Sequence, residues 1–125
     1  AAIRKPLWRW IMETVKREEL KSMLDHNDAY YLINVLAPEE FYEAHIPGSY
    51  NIPVADKHFI QKVEQRIGDK DAKVVVYCAN FDCTASQDAA KQLAGAGFTH
   101  VVDYEGGVQD WEEAGFPLQS GGERG

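Results

Sequence analysis

Apolar positions along this chain alternate between two spacings. In VKREELKSML, Val15, Leu20, Met23 and Leu24 fall near one helical face with charges elsewhere, which predicts a helix. AYYLINVLA is a short apolar run between Asn27-Asp28 and Pro38, the pattern of a strand. PEEFYEAHI predicts one short helix, because Pro38 suits a first turn and Glu39 and Glu40 suit the positive end of its dipole. IPGSYNIP reads as a turn at Pro47-Gly48 followed by an extended piece, since Ile52 precedes Pro53. DKHFIQKVEQRIG puts Phe59, Ile60, Val63 and Ile67 at helical spacing, with Gly68 placed as a C-cap. AKVVVYC is an unbroken apolar run ending at Cys78, the pattern of a central strand covered on both faces. TASQDAAKQLAGAGF predicts a helix with Ala85, Ala89, Leu93 and Ala96 inward, THVVDYEG a strand, and GVQDWEEAGF a short helix that buries Trp111.

Alternating strands and helices imply an α/β domain with a mostly parallel sheet and right-handed crossovers. Ligands of such sheets bind outside the carboxyl ends of the strands. Cys78, the last residue of the strongest strand, therefore points to that crevice. The two ends of the chain differ from its middle. Trp8, Ile11, Met12 and Val15 fall on one face of a basic N-terminal segment carrying Arg4, Lys5 and Arg9. Such a face can lie on a membrane or dock a partner, but packing on its own domain is the commoner outcome and is the reading taken. QSGGERG is small and polar and is expected to fray. The expected division is an N-terminal extension over 1–14 forming part of a helix, a domain over 15–118 and a flexible tail over 119–125.

Composition narrows the function classes. With 125 residues the chain can bury a core without a disulfide or metal staple, which weakens a purely structural reading of its two cysteines. A net charge of −7 opposes general binding to nucleic acid or anionic membrane, so neither is an expected partner. No apolar run approaches the roughly 20 residues that span a bilayer, and no secretory signal opens the chain. A reducing cytoplasm is the expected location.

The stretch VVVYCANFDCTAS concentrates the chemistry. Thr84 and Gln87 fit a capping box, which places a helix N-terminus directly after Cys83. The loop amides, backed by that helix dipole, form a candidate anion nest around Cys78. A thiol facing such a nest ionises more easily, while Asp82 and Asp88 work against ionisation. From the residues alone Cys78 is either a reactive thiol or a buried small hydrophobe. Cys83 is either a helper thiol or a tolerated loop residue. Phe81 at the loop tip is either an exposed docking contact or packed inward. Gly106-Gly107 supplies a turn that fits under this loop, and Trp111 and Phe116 belong to the core. His26, His45, His58 and His100 are scattered over unrelated elements, so no metal site is expected. His45 reads as turn packing.

Taken in order, REELKSMLD, YLINVLAPEEFYEAHIPGSYNIP, KVVVYC, the small-residue helix ending in GAGF and VVDYEGGVQDWEEAGFPL resemble a single-domain rhodanese, a sulfurtransferase-type domain, from about Val15 to Leu118. The resemblance implies a three-layer fold with a central, mostly parallel five-stranded sheet flanked by helices. It implies that Cys78 takes sulfane sulfur as a persulfide and passes it to a thiol or other nucleophile, with no cofactor. The partners implied are a small sulfur donor or a persulfidated protein, and a thiol acceptor. The binding loop would be Ala79, Asn80, Phe81, Asp82, Thr84, Ala85 and Ser86, with Cys83 as a possible resolving thiol beside Cys78. Three departures matter. The loop has no Arg and is about two residues longer than the common form; Asn34-Val35-Leu36 stands where the family usually has Asp-Val-Arg; and a second loop cysteine is present. Without a cation, a thiosulfate dianion would meet Asp82, so thiosulfate is a doubtful physiological donor. Two other readings stand beside sulfur transfer. One is a catalytically weak rhodanese-like module for protein binding or redox sensing. The other is a phosphatase or arsenate reductase on a related fold, disfavoured because no Arg or Lys lies between Cys78 and Lys91.

Overall fold

The computed structural model describes residues 13–123. Strand β1 (Glu13–Thr14) is followed by α1 (Arg17–Asp25), β2 (Tyr31–Asn34), α2 (Pro38–Glu43), β3 (Tyr50–Asn51), α3 (Phe59–Arg66), β4 (Lys73–Tyr77), α4 (Ala85–Gly95), β5 (His100–Tyr104) and α5 (Gly107–Glu113). The five strands form one sheet in the order β1-β5-β4-β2-β3, and every pairing is parallel. The expected α/β architecture with a five-stranded sheet is what the chain adopts.

Side-chain alternation along β4 divides the core. Val74, Val76 and Cys78 face one layer with Phe59, Val63 and Ile67 of the α3 region and Ala89, Ala90 and Leu93 of α4. Val75 and Tyr77 face the other, with Leu20 and Met23 of α1 and Trp111 of α5. All five β4-end positions from Val74 to Cys78 are fully buried, which is why this run carries no polar alternation. Each buried valine contributes on the order of 1.5–3 kcal/mol. The one hydroxyl in the run is satisfied: the Tyr77 oxygen accepts from Ile46 N at 3.0 Å and sits 2.8 Å from Ser49 Oγ.

Several boundaries differ from expectation. Glu13 and Thr14 are not helical but pair with Val102 and Asp103 as an edge strand. Val15 follows them into the core, and its N–H donates to Asp103 O at 3.2 Å. The rest of the proposed amphipathic face (Trp8, Ile11, Met12) lies outside the described residues. Helix α2 stops at Glu43 because Ala44 turns extended, and His45 then bridges to Gln119. Helix α3 ends because Ile67 turns extended, so Gly68 is no left-handed C-cap. That role belongs to Gly97 after α4, at φ +100°.

The tail expected to fray is held as far as Glu123. Gln119 pairs with His45 through two backbone hydrogen bonds, Ser120 Oγ donates to Glu43 O, and Gly121 N donates to Tyr42 O. Glu123 accepts from Asn51 N on the edge strand β3 and pairs with Arg66, both at 2.7 Å. Polar composition suggests fraying only where no partner waits, and here unpaired backbone groups of α2 and β3 supply partners. Among the described residues, no helix is long and apolar enough to cross a membrane.

Candidate functional site

Cys78 is the first residue beyond β4, fully buried on the face covered by α3 and α4. The loop to α4 is pinned at its start by α5. The carbonyls of Cys78 and Ala79 accept from Val108 N at 3.1 Å and Gln109 N at 2.9 Å, two of the amides that a helix N-terminus leaves open. This contact requires Gly107. It adopts φ +64°, and a Cβ there would stand 2.4 Å from Cys78 O and 2.8 Å from the Ala79 carbonyl carbon. The expectation that Gly106-Gly107 turns beneath the loop describes this arrangement.

The rest of the loop is a tight turn. Asn80 Oδ1 accepts from Asp82 N at 3.0 Å and Asn80 O accepts from Cys83 N at 3.1 Å, an Asx-type turn. At its tip Phe81 is 69% exposed, which decides between its two readings in favour of the outward one. Asp82 is exposed beside it. The turn brings Cys83 back to Cys78, and the two are joined as a disulfide with Cα atoms 6.4 Å apart.

The capping box is not formed. Thr84 has helical backbone angles, φ −97° and ψ −2°, and makes no side-chain cap, whereas a capping side chain needs extended backbone. Helix α4 opens with Asp88 N bonded to Thr84 O, and the amides of Ala85, Ser86 and Gln87 reach no backbone carbonyl among the described residues. Ser86 is the loop-end residue turned inward: it is buried, with Oγ 3.5 Å from Cys78 Sγ. Of the residues assigned from sequence, Cys78, Cys83 and Ser86 are thus brought together, Ala79 and Asn80 shape the turn, and Phe81, Asp82 and Thr84 face solvent. Ala85 packs against the core.

Two basic side chains, Lys16 and Arg17, stand at a rim beside the loop. A cavity of about 250 Å³ beside Phe81 is bordered by Lys16, Arg17, Tyr104, Glu105 and Asp110. Arg17 is already engaged, by Glu18 at 3.1 Å and Asp110 at 3.3 Å. Its hydrogen bond with Glu18 holds the guanidinium pKa above the ordinary value. Tyr104 donates to the other Asp110 oxygen at 2.6 Å, and burial raises its phenol pKa. The rim therefore presents acids matched against its two basic residues, not a free anion clamp.

One buried acid escaped the sequence reading. Asp103 in β5 is fully buried and neither carboxyl oxygen has a hydrogen-bond partner. Burial pushes its carboxyl up to about 6, Ser86 opposes the shift and Glu105 adds to it. The signal available was a single acid inside the strand HVVDY, two positions from Val101 and so on the same face of the strand. His45 is structural, as expected: it is buried, stacked on Phe41 with centroids 3.8 Å apart, and its Nδ1 lies 2.9 Å from Phe41 O.

Comparison with known proteins bears on the family and the fold. The rhodanese-like domain family matches residues 16–114. An HTH-type transcriptional regulator of Mycobacterium tuberculosis is 33% identical over 90 residues, which cover 72% of this chain but only 38% of the regulator. Thiosulfate sulfurtransferase GlpE of Vibrio cholerae is 28% identical over 100 residues, 80% of this chain and 88% of that protein. In structure, a thiosulfate sulfurtransferase from Pseudomonas aeruginosa superposes with a TM-score of 0.81 at 25% identity, covering 93% of this chain and 22% of that one. The chain belongs to the rhodanese-like domain family.

Proposed function

We propose that the domain is a sulfurtransferase or persulfide carrier in which Cys78 takes sulfane sulfur and Cys83 resolves the persulfide. The observation that carries this reading is the pairing of Cys78 with Cys83 across the turn that begins at a central-strand end. The relative named thiosulfate sulfurtransferase supports the reaction class. In the first step a Cys78 thiolate attacks the outer sulfur of a persulfide R–S–SH, the S–S bond breaks and RS⁻ leaves. The resulting Cys78–S–SH has two exits. An acceptor thiolate can attack its outer sulfur, carry that sulfur away and regenerate the Cys78 thiolate. Alternatively, a Cys83 thiolate attacks Cys78 Sγ and expels hydrosulfide, leaving a Cys78–Cys83 disulfide that a dithiol reductant must reopen. The uncharged loop and the acid-matched rim favour a persulfide donor over the thiosulfate dianion.

A second reading has its own support: the disulfide removes Cys78 from reaction, and Phe81 projects from the loop. A module of this kind would bind a partner through the loop and report redox state. Sulfur transfer from several donors to cyanide or a thiol, measured on reduced protein, separates the two. The transfer reading expects activity that Cys78→Ser abolishes, and Cys83→Ser protein that accumulates persulfide on Cys78 by mass spectrometry. No transfer from any donor would leave the binding module standing. Transfer that survives Cys78→Ser and is lost in Cys83→Ser would reverse the two roles.

A further inference from the structure

A cavity of about 490 Å³ lies away from the sulfur chemistry above. Chain direction locates it. All strand pairings are parallel, and Cys78 follows the last residue of β4. The cavity is bordered instead by Tyr30, just before β2, and by Pro47 and Gly48, shortly before β3. The last turn of α1, which leads into β2, completes this border with Leu24 and Asp25. Its faces differ too. Met23, Leu24, Tyr30 and Leu32 belong to the core layer of α1 and α5, whereas Cys78 belongs to the layer of α3 and α4. The cavity therefore stands at the opposite edge and on the opposite face of the sheet from Cys78, and the proposed sulfur transfer makes no use of it.

Tyr30, Leu32, Pro47 and Tyr50 give the cavity apolar walls, and its volume falls within the roughly 300–1,000 Å³ of small-molecule sites. Its charges decide what fits. Lys21 is the cation of the lining, and both Asp25 oxygens hold its ammonium at 2.8 Å. The same ammonium stands 5.5 Å from the Phe116 ring centroid. An anion would thus meet no open cation there. Asp28 differs from Asp25: among the described residues it forms no ion pair. Tyr30 beside it is half-buried, and its phenol is pushed up to about 12, by burial first and by the Asp28 charge second, so its hydroxyl stays protonated. Among the described residues the tyrosine hydroxyls in hydrogen bonds are those of Tyr77 and Tyr104, which leaves those of Tyr30 and Tyr50 open. Tyr50 carries Arg66 over its ring at 4.4 Å, from outside the cavity lining. An unpaired carboxylate next to aromatic rings is complementary to an organic cation, because the carboxylate takes the charge and the rings take its flank. The net charge of −7 attracts ligands of the same sign. We propose that this cavity binds a small organic ammonium ligand, with its apolar body against Tyr30, Leu32 and Pro47 and its ammonium group at Asp28.

Three probes of one shape and different charge test this on the full chain: phenethylammonium, 2-phenylethanol and phenylacetate. Each is titrated at neutral pH while backbone amides are followed by NMR. The proposal expects saturable shifts for phenethylammonium at Asp28, Tyr30, Gly48 and Tyr50, with the loop amides from Ala79 to Cys83 unmoved. It should bind about threefold or more tightly than 2-phenylethanol, the scale of one part-exposed charge pair, and phenylacetate should bind more weakly than either. High salt should narrow the gap between the ammonium and the alcohol. Asp28→Asn should remove that gap while leaving the alcohol's affinity as it was. Asp28 is exposed and its backbone N–H, not its side chain, bonds to Met23 O, so the variant keeps the α1 ending intact. The absence of saturable shifts at these amides, shifts centred on the Cys78 loop, equal affinities for ammonium and alcohol, or an ammonium preference that survives Asp28→Asn would each overturn the proposal. No sulfur donor enters the measurement, so its outcome is independent of whether Cys78 transfers sulfur.

Discussion

At Asp103 and Gly107 a single side chain, or the lack of one, has consequences for stability. The Asp103 carboxyl is raised from 3.8 to about 6, chiefly by burial. The folded state therefore binds this proton more tightly than the unfolded chain. Its contribution is fully favourable below about pH 4 and is lost as pH rises through 6. Asp103→Asn, which cannot ionise, should accordingly be more stable than the parent at pH 8, by on the order of 1–3 kcal/mol, with the gap closing below pH 4. Urea unfolding at several pH values reads this directly, and a gap that does not change with pH would count against it. Gly107→Ala should act in the opposite sense. It places a methyl group against the Cys78 carbonyl at positive φ, and should cost about 2 kcal/mol or more while altering the Cys78 alkylation rate. Unchanged stability would mean that α5 and the loop are not rigidly coupled. Cys78 itself was legible because a strand end and a following helix are local patterns. Asp103 was not, because a lone acid in an apolar strand acquires a neighbour only once the register to β4 is known.

Elements were legible in kind and less so at their ends. Among the described residues the five helices expected between Val15 and Leu118 are present, and the inward residues of α4 were correctly placed, since Ala89 and Leu93 are buried and Ala85 and Ala96 pack against the core. Termini failed where backbone conformation overruled side-chain preference. Thr84 offers a capping hydroxyl, but its helical backbone angles withhold it. Likewise two glycines follow two helices, and only one is used as a stop. Gly68 is not left-handed and a Cβ there meets nothing within 4 Å, whereas Gly97 sits at φ +100°. Gly68→Ala is therefore expected to be neutral or slightly stabilising, because it restricts the unfolded chain without straining the folded one. Gly97→Ala should destabilise by about 1 kcal/mol from its left-handed backbone, the Lys70 side chain being at ordinary contact distance. Thermal unfolding of the pair checks this contrast, and equal midpoints would remove the distinction.

Across the whole molecule, the α/β class with a mostly parallel sheet could be read from alternation alone, but long-range closure could not. Gln119 to Glu123 look like a polar tail, yet their partners lie at His45, Glu43, Asn51 and Arg66, more than fifty residues away in sequence. No local pattern announces such contacts. Their consequence is that the tail covers the edge at β3, where Asn51 N would otherwise be an open donor. Glu123 plays two roles there, as acceptor for that amide and as ion-pair partner of Arg66, whose guanidinium also sits 4.4 Å from the Tyr50 ring centroid. Two substitutions separate these roles. Glu123→Gln keeps an oxygen for Asn51 but gives up the exposed ion pair, and should cost less than about 1 kcal/mol, less still at high salt. Glu123→Ala gives up both and should cost about 1–2 kcal/mol, with the part due to the amide bond insensitive to salt. Urea unfolding in low and high salt distinguishes them. If the alanine variant unfolds at the parent midpoint, the tail does not close the edge; if the two variants are equal, the Asn51 bond contributes nothing and the ion pair alone holds Glu123.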